Sequence, residues 1–152
     1  MVTVVTQSRP APAGERIVDT MIALAHCSKQ HRIIVAGSKS IEMMLELHRR
    51  GYERAAATAN CGRAAGQYDV AMVDWRRRTF RVLETTLDWL VDFLSPSGVM
   101  VVWVDPQKPA ANQSLRSALE QRGFVIEDGT VLDYGYAVAA RRREVNPIRK
   151  AA

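Results

Sequence analysis

Cysteine is scarce. The two present, Cys27 and Cys61, stand far apart and in no Cys-x-x-Cys pair. That excludes a disulfide framework, and a zinc centre would need more ligands at closer spacing. The three histidines, His26, His31 and His48, are scattered and form no His-Glu-x-x-His pair, so no metal is expected. No apolar run approaches the ~18–20 residues of a membrane span. Met1 to Gly14 lacks the basic and apolar regions of a secretory leader, and a cytoplasmic protein without membrane contact is expected. Lysine is rare as well, supplying only 4 of the 21 basic residues.

The remaining 17 basic residues are arginines, and the net charge is +5. A basic chain invites a nucleic-acid reading. Here the skew toward Arg and Ala matches a GC-rich coding background, and basic residues do not alternate with aromatics as in single-strand binders. The runs Arg76-Arg77-Arg78 and Arg141-Arg142-Arg143 flank expected strand ends, where solvated charge is common. Nucleic acid is therefore a minor alternative. The 152 residues suit one domain, read as a flexible lead-in over 1–13, a folded body over 14–143 and a flexible tail over 144–152.

Hydrophobic periodicity orders the body. Ile17, Met21 and Leu24 recur at helical spacing, widened by Val18, Ile22 and Ala25. Arg32 to Ala36 is apolar on both faces, as in a central parallel strand, and stops at Gly37. A helix begins after the turn Gly37-Ser38-Lys39-Ser40, with Ile41, Met44, Leu45 and His48 as its apolar side and Gly51 as a left-handed cap. Arg54 to Ala59 predicts a short strand, and Tyr68 to Trp75 a clear one. Phe80, Leu83, Leu87, Leu90, Val91 and Leu94 form an amphipathic helix that Ser95-Pro96-Ser97-Gly98 breaks. Val99 to Val104 is the strongest strand. A helix over 112–122 closes at Gly123. Phe124 to Asp128, Thr130 to Leu132 and Tyr136 to Ala140 follow without a helix between them, so they pair antiparallel. Alternation of strand and helix implies a parallel sheet covered on both faces.

The order and several segments together resemble the class I SAM-dependent methyltransferases. Ile33-Ile34-Val35-Ala36-Gly37 and the helix ending Arg49-Arg50-Gly51-Tyr52 resemble that family's first strand, nucleotide loop and helix. Tyr68 to Asp74 resembles the strand that begins with an aromatic–Asp pair and ends near the reaction centre. Leu94 to Val102 resembles the Leu-x-Pro-Gly-Gly turn and next strand, and Gly123 to Arg142 the closing hairpin. The resemblance implies an α/β, three-layer Rossmann-like methyltransferase fold, mostly parallel, with a C-terminal antiparallel hairpin. It implies SAM as cofactor, with Gly37, Ser38, Lys39 and Ser40 along one side, Asn60 at the ribose and Asp74 with Trp75 as the floor.

The chain departs from that pattern in its cofactor loop. The loop needs absent side chains, and only Gly37 remains, with Lys39 and Ile41 where small residues are usual. Asn60 stands where a carboxylate is usual, which removes charge assistance from a ribose hydrogen bond. Only seven residues, Cys61 to Gln67, separate Asn60 from Tyr68, too few for the ~10–12 residues of a further crossover. The sheet is therefore expected to lack one edge strand. No nucleophile–base or acid–base pair is evident. The leading expectation is a scaffold or binding module without catalysis, able to dimerise through the exposed sheet edge. The alternatives are an active methyltransferase and a phosphate site at the helix after Gly37, where Ser38 or Ser40 would more simply be a helix cap. Trp75 and Trp103 are expected to pack inside, and Trp89, off its helix's apolar stripe, to mark an interface.

Overall fold

The computed structural model describes residues 13–57, 67–75, 79–104, 109–132 and 135–142. The elements are α1 (Ala13–Ala25), β1 (Ile33–Gly37), α2 (Ser40–Arg49), β2 (Ala55–Ala57) and β3 (Tyr68–Trp75). They are followed by α3 (Phe80–Phe93), β4 (Leu94–Val104), α4 (Pro109–Gln121), β5 (Phe124–Leu132) and β6 (Gly135–Arg142). The six strands lie in the order β2-β1-β3-β4-β6-β5. β1 to β4 are parallel, and β6 runs antiparallel between β4 and β5. The architecture is the expected three-layer, Rossmann-like sheet with a closing hairpin. Among the described residues β2 is the edge strand on one side of the sheet.

Strand alternation splits the core in two. Val99, Val101 and Trp103 of β4 point to the side covered by α1 and α2. Met100, Val102 and Val104 point to the side covered by α3 and α4. Trp103 is fully buried, and Trp75 nearly so, as packing residues. Charge ties neighbouring helices within each layer. Arg50, the C-cap of α2, pairs with Glu46 at 2.9 Å and with Asp19 of α1, and Arg122 donates to Asp88 of α3 at 2.8 Å.

The face of α2 differs from the sequence expectation. Its buried residues are Met43, Met44 and Leu47, whereas Ile41 and Leu45 are 41% and 48% exposed. Both stripes have helical period, and packing on β1 and β2 selects the one carrying the two methionines. His48 points to the sheet edge, where its Nε2 lies 2.8 Å from the Ala55 carbonyl oxygen. The end of α2 is as expected. Gly51 takes φ 92°, Gly51 N–H donates to His48 O and Tyr52 N–H to Leu47 O. That pair of bonds is the Schellman motif. The start is not: Lys39 is the N-cap residue and makes no side-chain capping bond, so neither Ser38 nor Ser40 caps the helix.

Other boundaries move for similar reasons. Leu94 belongs to β4, pairing with Tyr68, and Ser95 to Gly98 continue the strand across a register irregularity. Phe124 to Leu132 is one strand, because a bulge between Ile126 and Asp128 absorbs the break. α4 begins at Pro109, whose missing N–H suits a first helical turn. The arginines at the end of β6 are not simply solvated. Arg142 is half-buried, and its Nη1 donates to the carbonyls of Val91 at 3.0 Å and Leu94 at 2.8 Å. It thereby satisfies carbonyls that the C-terminus of α3 leaves without helical partners. Arg141 donates to Glu127 at 2.8 Å. Arg76, Arg77, Arg78 and Arg143 lie outside the described residues.

Replacing Arg142 by Met keeps the aliphatic stem and removes those donors. The expected loss is about 2 kcal/mol, as for buried hydrogen bonds to a charged group, read by chemical denaturation. Gly37→Ala is expected to cost about 4 kcal/mol or to prevent folding, because the backbone of β3 blocks the new methyl group. Wild-type stability in that variant would contradict the β1–β3 contact described below.

Candidate functional site

β1 leads into α2, and β3 lies beside β1 in the same sheet, parallel to it. The chain runs from β1 outward to β2, then returns across β1 to β3. In open parallel sheets a crevice forms at the carboxyl ends of strands where the order reverses. Here that point lies between Gly37 and Asp74, which are register partners.

Gly37 has φ 112°, a region that side-chain-bearing residues rarely adopt. A Cβ built on it would sit 2.2 Å from the Asp74 carbonyl oxygen. The next residue, Ser38, donates its N–H to that same oxygen at 3.0 Å. The vacant side of Gly37 thus accommodates the β3 backbone. Lys39 follows at the N-cap with its side chain 59% exposed, and its Nζ lies 3.7 Å from Glu42. Ser40 opens the helix. Asn60 lies outside the described residues.

Asp74 is 0% exposed, the one charged residue in the core of the described structure. Trp75 is buried beside it. Its Nε1 donates to the Thr79 carbonyl at 3.2 Å, and its ring lies 5.9 Å from that of Phe80. Gly37, Asp74 and Trp75 all line one open cleft of about 280 Å³, which α3 completes with Val82, Thr85 and Trp89. Ser38, Lys39 and Ser40 do not line it. Three of the seven expected positions therefore meet. The contribution of α3 was missed, although the off-stripe placement of Trp89 carried a hint of it.

The chemistry available in the cleft is limited. Among the described residues its walls hold one carboxylate, fully buried, two threonines and otherwise backbone or hydrophobic surface. Thr86 spends its hydroxyl on the Val82 carbonyl, at 2.9 Å. Asp69 of the aromatic–Asp pair works at the other end of β3, where its Oδ2 accepts the Arg32 N–H at 2.9 Å. Burial pushes the half-buried Cys27 thiol up to about 12, so it stays protonated and weakly nucleophilic at neutral pH. Cys61, Asp105 and Tyr134 lie outside the described residues. No group of three or more His, Cys, Asp or Glu able to hold a metal occurs among the described residues. None of the described helices is long and apolar enough to cross a membrane.

SAM, the cofactor that the resemblance implies, fits these residues poorly. At about 280 Å³ the cleft lies near the lower end of ordinary ligand pockets, which run ~300–1,000 Å³. Its single carboxylate is enclosed by protein, and the emptiness at Gly37 is used by β3. An exposed ammonium at Lys39 stands where a sulfonium-bearing ligand would gain nothing from it.

No family model matches the sequence, and no curated protein sequence matches it. Solved structures do match. The Burkholderia thailandensis 1,6-didemethyltoxoflavin-N1-methyltransferase, with bound S-adenosylhomocysteine, is similar at TM-score 0.60 and 14% identity, over 88% of this chain and 80% of that one. A SAM-dependent O-methyltransferase from Thermotoga maritima is similar at TM-score 0.61 and 13% identity, over 91% of this chain and 69% of that one. A precorrin 8w decarboxylase from Methanobacterium thermoautotrophicum is similar at TM-score 0.54 and 16% identity, over 93% of this chain and 99% of that one. At such identities the likeness concerns the fold, and the fold of this chain is that of the class I SAM-dependent methyltransferases.

Proposed function

We propose that this chain is a methyltransferase-fold scaffold or binding module that has given up methyl transfer. The observation that carries this reading is the contact between Gly37 and Asp74. A cofactor loop keeps glycines so that a ligand can approach the backbone. At Gly37 the approaching group is the protein's own β3 carbonyl, 2.2 Å from where a Cβ would lie. No second glycine follows, since Ser38, Lys39, Ser40 and Ile41 come next. Methyl transfer depends on holding donor and acceptor in register. The cleft offers one enclosed carboxylate and no acid–base pair among the described residues. Neighbours of the same fold carry different names, a methyltransferase and a decarboxylase among them, and fold alone assigns no chemistry.

One observation favours the second reading, a SAM-binding enzyme. Gly37, Asp74 and Trp75 do meet at one cleft at the topological switch point. Calorimetric titration with SAM and with S-adenosylhomocysteine separates the two. The scaffold reading expects no saturable heat and no thermal shift at ~1 mM ligand, about −4 kcal/mol of binding free energy at most. A dissociation constant of ~10 μM or tighter, lost in Trp75→Ala, would replace it by the enzyme reading.

A further inference from the structure

α3 carries two stripes. Leu83, Leu87 and Leu90 face the sheet and are fully buried. At about 100° per residue, a second stripe of Val82, Thr86, Trp89 and Phe93 lies roughly 100° away from the first. Val82 is 38% and Trp89 42% exposed, and the Trp89 ring lies 4.4 Å from that of Phe93. The steps between these residues are four, three and four, the spacing of a helix–helix seam. Thr86 satisfies its hydroxyl within the helix, on the Val82 carbonyl. The stripe also forms one bank of the cleft, through Val82 and Trp89.

We propose that this stripe is the contact between two copies of the chain, with α3 packed antiparallel on α3 about a two-fold axis between Thr86 and Leu87. Two features of the sequence make the face complementary to itself. First, the two-fold sets Val82 level with the gap between Trp89 and Phe93 of the second copy, and sets Trp89 between its Val82 and Thr86. The small and large side chains interleave without a vacancy. Second, Arg81 and Asp92, both exposed, lie on the same flank of the stripe. The same axis sets Arg81 opposite Asp92 of the second copy, and the reverse, giving two symmetric ion pairs of correct sign. The second α3 roofs the cleft over Gly37, Asp74 and Trp75, so a ligand site there is complete only in the dimer. The β2 edge is a weaker alternative, because it offers three residues and His48 covers the Ala55 carbonyl.

Sedimentation of the full chain from ~1 μM to ~1 mM, a range that spans ordinary homodimer affinities, tests this. The apparent mass is expected to rise from 16.9 kDa toward twice that value with concentration. Tryptophan emission should shift to the blue in parallel, because Trp75 and Trp103 are already buried and Trp89 is not. Trp89→Glu, at an exposed position, is expected to abolish association with an unchanged circular-dichroism spectrum; Thr86→Arg on the same stripe serves if that variant fails to fold. Arg81→Asp and Asp92→Arg should each raise the dissociation constant about tenfold, and the double reversal should restore it. A single 16.9 kDa species throughout, or a dimer unaffected by Trp89→Glu, overturns the proposal. Failure of the double reversal to rescue overturns the antiparallel register.

Discussion

The contact on which the rest depends is the meeting of Gly37 with the Asp74 backbone. β1 must end, turn and feed α2 while β3 passes alongside in parallel register. Only a residue without a side chain can hold φ 112° there and leave room for the Asp74 carbonyl, which then receives the Ser38 N–H at 3.0 Å. This one junction sets the switch point of the sheet. It fixes where α2 departs, brings Asp74 and Trp75 to the carboxyl ends, and leaves α3 beside the opening. The same junction fills the vacant side of Gly37 with the β3 backbone.

The arginine content has a structural explanation as well. Arg142 closes the C-terminus of α3, Arg50 joins α2 to α1, Arg122 joins α4 to α3, and Arg141 pairs with Glu127 across the hairpin. A guanidinium suits these places because it donates in several directions while its stem packs on apolar neighbours. A high isoelectric point can thus arise from internal ties, without an external polyanion.

Among the described residues β2 is one edge of the sheet. Val82 and Trp89 of α3 are exposed, and both line the cleft at the carboxyl ends of β1 and β3. The apolar stripe of α3 and the wall of the cleft are therefore one continuous surface.

Most of the architecture was legible in the residues themselves. The doubly apolar strands, the Gly51 cap and the closing hairpin all follow from local pattern, because period and glycine geometry act over a few residues. What pattern could not decide was any choice between two locally equal options. α2 has two apolar sides, and only the sheet beneath it selected Met43, Met44 and Leu47 over Ile41 and Leu45. Ser38 and Ser40 are both good caps in isolation, yet the turn placed Lys39 at the N-cap. Arg142 reads as solvent charge until the end of α3 arrives beside it. Of the expected site, Gly37, Asp74 and Trp75 line one cleft, Ser38 reaches Asp74 through its backbone N–H, and Lys39 and Ser40 stay outside the cleft. Strand ends are fixed by sheet register, whereas the direction of a turn's side chains is fixed by what packs against it. The sequence alone determined which segments become strands and helices and in what order. The tertiary structure decided which of their faces are used, since burial is a property of the neighbours a side chain meets and not of the side chain itself.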